Sequence, residues 1–469
     1  MINLKFIPFL ILLVTTLAVA KTNIIFILAD DLGYGDLGCY GQKLIKTPHL
    51  DKMSAEGMKF TRFYSGSTVC APSRSVLMTG QHMGNTHVRG NAGGDMTRQS
   101  LRDKDLTVAE KLKEAEYKTA LIGKWGLGEV GQEGHPLRQG FDYFYGYLNQ
   151  VHAHNFYPEF LWRNQKKHIL KNVVKPISDK PRAGFMGGAA TKRVEYSHDL
   201  FTEEALAWIK TNKENPFFLY LPLTIPHANN EGTRMFGDGA EVPDYGIYEK
   251  ENWPKQDKGQ AAMITRMDRD VGRLLDLLKK LKLAENTLVI FTSDNGPHNE
   301  AGHNPELFAP SGPLRGMKRS LTEGGIRVPT IAWWPKTIKN GSVCDQPLYF
   351  GDFMSTACEM ANIETPKQTD SISFLPTLRG ETEGQDRHKF LYWEFYERTF
   401  RQALVMEDWK LIRSGMDNST IELYNLSQDI HVDMNVASEQ PAVAQRLSSY
   451  MEGAHAPRPN WKTPRSKIK

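Results

Sequence analysis

The chain has 469 residues, 40% hydrophobic and 24% charged, which is ordinary for a soluble globular protein and enough for one large α/β domain with a smaller companion. Its formal net charge of +4 is close to balance, which excludes nucleic acid or an anionic membrane as a main partner drawn by overall charge. An anionic substrate must then be held by a local cluster of cations.

At the N-terminus Lys5 precedes an apolar run from Phe6 to Val19, closed by Ala18-Val19-Ala20. That is a small-x-small site of the kind signal peptidase cuts. The run is shorter than the ~20 apolar residues that a bilayer span needs. Residues 1–20 therefore read as a cleaved signal peptide, and the mature protein as secreted or periplasmic with no membrane span. Asn23 to Ala29 is a short continuous apolar run, the mark of a buried parallel strand, and it ends at Asp30-Asp31. Helical periodicity over Thr107–Glu116 leads into a strand at Lys118–Ile122, stopping at Gly123-Lys124-Trp125. An amphipathic helix is expected over His198–Lys210, then a strand at Phe217–Leu221 running into Ile225-Pro226-His227. A long helix over Ala261–Leu281 precedes a buried strand at Thr287–Thr292, which ends at Ser293-Asp294-Asn295-Gly296; another strand is expected at Val328–Trp334.

This alternation predicts an α/β fold with a mostly parallel central sheet covered by helices on both faces. In such sheets ligands sit beyond the carboxyl ends of the strands, and the polar motifs fall at those ends. After Gly380 the pattern changes to short strands at Phe390–Phe395, Ala403–Glu407, Trp409–Arg413 and Ile421–Asn425, then a helix over Pro441–Met451. The expected division is a signal peptide at 1–20, a catalytic α/β domain at 21–382, and a small C-terminal α+β domain with a short antiparallel sheet at 383–469.

Two acidic strand ends carry the first chemical signal. Adjacent carboxylates at Asp30 and Asp31 repel unless a cation or protons neutralise them. Asp294 and Asn295 repeat the arrangement. Three carboxylates and one amide oxygen make an all-oxygen set, suited to a hard cation such as calcium rather than zinc. Either pair alone also fits a helix or turn cap. The second signal is Cys70-Ala71-Pro72-Ser73-Arg74, placed between a Ser/Gly/Thr-rich turn and an apolar helix-like run. A helix N-terminus favours anion chemistry, and Arg74 adds a cation. The four cysteines, Cys39, Cys70, Cys344 and Cys358, are too few for a disulfide framework and match no zinc spacing. With Cys70 set aside, at most one bridge is available.

The pentapeptide resembles the C-x-P-S-R signature of the type I, formylglycine-dependent sulfatases of the alkaline phosphatase superfamily, among them secreted bacterial arylsulfatases and carbohydrate sulfatases. The resemblance extends, in order, to Asp30-Asp31, Gly123-Lys124-Trp125, Pro226-His227, Ser293 to Gly296, and Lys318 followed by Glu323 to Pro329. It implies that a separate maturation enzyme oxidises Cys70 to formylglycine. One hydroxyl of the hydrated aldehyde would bind a calcium ion together with Asp30, Asp31, Asp294 and Asn295, and would attack sulfur. Arg74, Lys124 and Lys318 would bind the sulfuryl oxygens, and His227 would protonate the leaving oxygen. The second hydroxyl would then expel sulfate.

One departure stands out. The family commonly has His two residues after the lysine of Gly-Lys-Trp, to deprotonate the second hydroxyl, and this chain has Gly126 there. His152 or His154 is a candidate replacement. These two, with His298 and His303, are the candidate substrate contacts. The expected substrate is a sulfated small molecule or glycan, with galactose or N-acetylgalactosamine sulfate favoured by analogy. Two alternatives differ in class. A phosphate or phosphonate ester hydrolase of the same superfamily is disfavoured by Asn295, where a two-zinc site prefers His. A sulfated-glycan-binding protein without catalysis is suggested by Gly126 alone.

Overall fold

The computed structural model describes residues 21–91, 99–181, 185–397, 399–415, 419–458 and 461. The expected signal-peptide stretch 1–20 lies outside the described residues. In chain order the strands are β1 (Asn23–Ala29), β2 (Met58–Phe60), β3 (Phe63–Tyr64), β4 (Lys118–Lys124), β5 (Tyr143–Tyr147), β6 (Phe160–Arg163), β7 (Lys166–Ile169), β8 (Val173–Pro176) and β9 (Gly188–Lys192). They continue as β10 (Phe217–Pro222), β11 (Thr287–Ser293), β12 (Thr330–Trp333), β13 (Ser342–Cys344), β14 (Leu348–Tyr349), β15 (Leu391–Phe395), β16 (Arg401–Met406), β17 (Trp409–Ser414) and β18 (Thr420–Asn425).

A 10-stranded sheet runs in the order β13-β2-β12-β11-β1-β10-β4-β5-β6-β7. Its centre, β11-β1-β10-β4-β5, is parallel throughout. The flanks turn antiparallel at β12 and β2 on one side and at β6 and β7 on the other. The strand expected at Val328–Trp334 is thus β12, shorter and reversed. Both faces of the central strands are buried, and alternation along β1 divides the packing. Ile24, Phe26 and Leu28 join one core with Val76, Leu112 and Phe353 from covering helices. Ile25, Ile27 and Ala29 join the other with Phe201, Ile264 and Leu274. The Phe26 and Phe353 ring centroids are 4.6 Å apart; cutting Phe26 back to alanine should cost about 3–5 kcal/mol.

The long helix spans Lys255–Lys280, beginning before the expected Ala261. Its first turn, Lys-Gln-Asp-Lys, lacks the apolar period that marks the rest. Strand β5 is aromatic-rich, with Phe144, Tyr145 and Tyr147 buried. The C-terminal strands form a 4-stranded antiparallel sheet. One of its faces, including Trp393, Val405 and Ile412, merges with the core around Phe26. The other packs Tyr392, Leu404 and Leu423 against Leu447 and Met451 of the helix Pro441–Ala454. All four cysteines are free. Among the described residues no helix is long and apolar enough to cross a membrane.

Candidate active site

Parallel pairing of β1 with β10 and β11 brings three strand ends side by side. Asp30 and Asp31 follow β1, His227 lies in the turn beyond β10, and Asp294 and Asn295 follow β11. Asp31 takes a left-handed conformation, φ 65°, which acidic side chains tolerate better than most. Its N–H donates to Asp294 Oδ1 at 3.2 Å, fixing the two strand ends together.

Cys70 opens the helix Cys70–Thr79, and its thiol donates to Asp30 Oδ1 at 3.3 Å. Arg74 is four residues on, so it shares that helix face. Arg74 Nε and Nη2 donate to Asp294 Oδ2 at 3.1 and 2.8 Å, and Nη1 donates to the Lys124 carbonyl. Lys124, the last residue of β4, donates to Asp30 Oδ2 at 2.7 Å. Lys318 Nζ donates to Asp31 Oδ2 at 2.7 Å and lies 3.1 Å from His227 Nε2. The loop carrying Lys318 is tied down by the Lys318 N–H, which donates to the Pro297 carbonyl at 2.8 Å. Asn295 Nδ2 donates to Asp31 Oδ1 at 2.6 Å. Asn295 Oδ1, fully buried, has no hydrogen-bond partner among the described residues.

Ligand atoms of Asp30, Asp31, Cys70 and His227 all lie within 4.8 Å of one another. Three carboxylates face three cations, so a divalent ion added here would leave the pocket positive and receptive to an anion. The unpartnered Asn295 oxygen and the converging carboxylates fit a hard cation.

Burial raises the Asp30 carboxyl, but Lys124, His227, Arg74 and Lys318 together hold it below the usual carboxylate range. Asp294 is pushed up to about 7 by burial and the Asp30 charge, against the pull of Arg74. Burial and the Lys318 cation bring His227 down to about 3, although Asp31 and Asp30 pull it up. His227 is therefore neutral at physiological pH. Burial, with Asp294 and Asp30 nearby, pushes the Cys70 thiol well up. An unmodified Cys70 forms no thiolate here and is a poor nucleophile.

The four outlying histidines separate. His154 stacks on His227, ring centroids 5.1 Å apart and planes at 17°, and its Nδ1 is 2.9 Å from Glu231 Oε2. Burial holds the His154 ring below its ordinary value. His298 Nε2 donates to the Pro226 carbonyl at 2.9 Å and its ring centroid lies 6.1 Å from that of His227. His303 is one ring further out, 5.0 Å from His298. His152 instead packs among Tyr147, Phe160 and Phe185 at 4.9, 4.6 and 4.3 Å.

Gly126 has φ +80°, and a Cβ there would meet Gln150 Nε2 at 2.2 Å. The Gln150 amide thus occupies the room a side chain at 126 would take, and its buried Nε2 has no hydrogen-bond partner among the described residues. Neither Gln150 nor Glu300, whose Oε2 is 3.8 Å from Lys318 Nζ, is visible from sequence pattern. Glu300 is held below the carboxylate range against burial by Lys318, His227 and Arg319. A carboxylate just after Ser-Asp-Asn-Gly-Pro-His was the only available sign.

Comparison with known proteins agrees with this geometry. The Sulfatase family model matches residues 22–363. A second, described as N-sulphoglucosamine sulphohydrolase, C-terminal, matches residues 317–455. An N-acetylgalactosamine-6-O-sulfatase of Bacteroides thetaiotaomicron is 30% identical over 92% of this chain and 93% of its own length. The N-acetylgalactosamine-6-sulfatase of Homo sapiens is 31% identical over 81% and 74%. Among solved structures, Ps i-CgsB in complex with k-i-k-neocarrahexaose has a TM-score of 0.77 at 26% identity, covering 95% of this chain and 94% of its own. A phosphonate monoester hydrolase of Agrobacterium radiobacter, TM-score 0.62 at 19% identity over 92% and 95%, shares the fold alone. With the family matched across most of its length, and a buried cysteine, three carboxylates and three cations gathered at the strand ends, the chain belongs to the sulfatase family and is a sulfuric ester hydrolase.

Proposed function

We propose that this sulfatase removes sulfate from sulfated carbohydrates, with galactose or N-acetylgalactosamine sulfate units as the substrate class. The observation that carries the mechanism is the meeting of Asp30, Asp31, Asp294 and the unpartnered Asn295 oxygen beside Cys70. The names of the relatives support the substrate class.

Asp30, Asp31, Asp294 and Asn295 would hold one calcium ion, with the side chain of residue 70 as a further ligand. When bound, the ion supplies positive charge that neutralises the carboxylates and lowers the pKa of a nearby hydroxyl. Formylglycine, made from Cys70 by a maturation enzyme, would supply as its hydrate the hydroxyl that attacks sulfur and a second one for release. Lys124 and Lys318, freed from Asp30 and Asp31, turn their ammonium groups to the sulfuryl oxygens. Arg74 is already committed to Asp294 and the Lys124 carbonyl. We therefore assign it to holding Asp294 and lending charge, in place of the direct sulfate contact expected from the motif. His227 Nδ1 donates to the Ala228 carbonyl at 2.7 Å, which leaves Nε2 free to take a proton from solvent once a bound sulfate ester brings negative charge into the site, and the ring gives that proton to the leaving oxygen. A carboxamide takes no proton at neutral pH, so Gln150 does not replace the histidine missing at 126. His154, against His227, takes that role.

The test is sulfate release from defined sulfated mono- and oligosaccharides, before and after chelation and after calcium is returned, with mass spectrometry of the residue 70 peptide. Full activity after thorough chelation removes the metal assignment. An intact thiol at position 70 in active enzyme removes the formylglycine. His154→Ala should keep a stoichiometric burst of released alcohol while losing steady turnover; loss of both, or of neither, contradicts its role.

A further inference from the structure

Charge is unevenly spread along this chain. Residues 163–193 hold nine lysines and arginines against the single acid Asp179, whereas the whole chain carries only +4. The remainder is net acidic. This basic stretch lies mainly in two hairpins, β6-β7 and β8-β9.

The hairpins adjoin the active site through aromatic packing. His154 stacks on His227 in the site. Two residues earlier, His152 packs on Phe160 of β6 and on Phe185 just before β9. Lys167 Nζ stands 4.1 Å from the Phe160 ring centroid and 5.7 Å from that of Trp162. On the second hairpin, a Cβ at Gly187 would lie 3.0 Å from the side chain of Glu231, the partner of His154.

Arg163 and Arg193 are spent on Glu204 and Glu241. Lys166, Lys167, Lys171, Lys175 and Lys192 are exposed and make no ion pair among the described residues. Lysines on β7, the edge of the large sheet, would serve to block pairing with another chain. That purpose does not extend to Lys171, Lys175 and Lys192, which lie off that edge.

We propose that these hairpins form a subsite for further units of a polysulfated glycan chain. The half-buried rings of Trp162 and Phe185 offer apolar surface for sugars, Phe160 being covered by His152 and Lys167, and the five lysines offer point charges for sulfates. This rests on the proposed carbohydrate substrate and extends it: a chain is bound, beyond the unit that is cut. A nucleic acid would meet the same cations, but the neighbouring site is one for sulfate esters.

The experiment compares the matured wild type with a variant carrying Lys166→Gln, Lys167→Gln, Lys171→Gln, Lys175→Gln and Lys192→Gln. The probes are sulfated galactan fragments of increasing length, nitrophenyl sulfate, and a single-stranded oligodeoxynucleotide of matched charge. Binding is read by affinity electrophoresis and turnover by sulfate release. For wild type, KM should fall about tenfold or more from the monosaccharide to longer fragments, with strong salt dependence. The variant should lose that gain and keep kcat/KM on nitrophenyl sulfate. Unchanged galactan binding in the variant overturns the subsite. So does a parallel loss on nitrophenyl sulfate, or wild-type binding of the oligodeoxynucleotide as tight as that of the galactan. Lysine-dependent galactan binding with no sulfate released from any carbohydrate would retain the subsite while refuting the proposed substrate.

Discussion

Lys410 is buried in β17, and its ammonium group donates to Glu323 Oε1 at 2.7 Å. Both side chains are 0% exposed. The pair joins the C-terminal sheet to the segment that follows Lys318. Burial holds Lys410 below its ordinary value against the pull of Glu323. Glu323 feels the same burial but is held low by two cations, Lys410 and Arg327. Lys410→Met keeps the packed stem and removes the charge, leaving Glu323 with Arg327 at 3.3 Å and the Tyr64 hydroxyl at 2.9 Å. Breaking a buried pair from one side costs about 3–5 kcal/mol. The two surviving partners put this loss near the lower end, about 3 kcal/mol. Adding Glu323→Gln removes the orphaned charge, so the double variant should lose less than the sum of the singles, with a coupling of about 1–3 kcal/mol. Urea unfolding followed by tryptophan fluorescence of all four proteins measures the cycle. A loss below about 1 kcal/mol for Lys410→Met, or strict additivity, would refute the reasoning.

His227→Ala should cut kcat on a sugar sulfate by about 10²–10⁴-fold and affect nitrophenyl sulfate far less, because that leaving group needs little protonation. Equal losses on both would remove His227 as the acid. Asp36 is pushed up to about 7 by burial, only partly relieved by the Gly33 N–H, whereas an unfolded aspartate titrates near ~4. The folded state therefore keeps a proton that the unfolded chain releases, and stability falls as pH rises through that window. Asp36→Asn, which can still accept from Gly33, should stabilise the protein at pH above about 7 by up to about 4 kcal/mol and have little effect near pH 4; thermal melts at the two pH values check the sign. Gly126→Ala should destabilise by about 1–3 kcal/mol from backbone strain and the collision with Gln150. Adding Gln150→Ala should recover only the collision, so full recovery in the melting temperature would contradict the backbone contribution.

Much of the site was legible because its residues stand at the ends of locally recognisable strands. Asp30, Lys124 and Asp294 each close an apolar run, and a parallel sheet carries such ends to one edge. The i, i+4 spacing of Cys70 and Arg74 places them on one helix face. The reversal at β12 was not legible, since an apolar run reads the same in either direction. Nor was the division between His152 and His154, two residues apart, one in aromatic packing and the other against His227.

By itself, the sequence determined the fold class and the acidic strand ends, because these depend on residue type and short spacing. Tertiary structure decided what each group touches. It turned Arg74 onto Asp294, left the Asn295 oxygen without a hydrogen-bond partner among the described residues, and laid Gln150 over Gly126. It merged one face of the C-terminal sheet with the main core and set the basic hairpins against His152, two residues from the His154 ring that stacks on His227. These contacts join residues far apart in the chain, and no local pattern of charge or hydrophobicity specifies such a pairing.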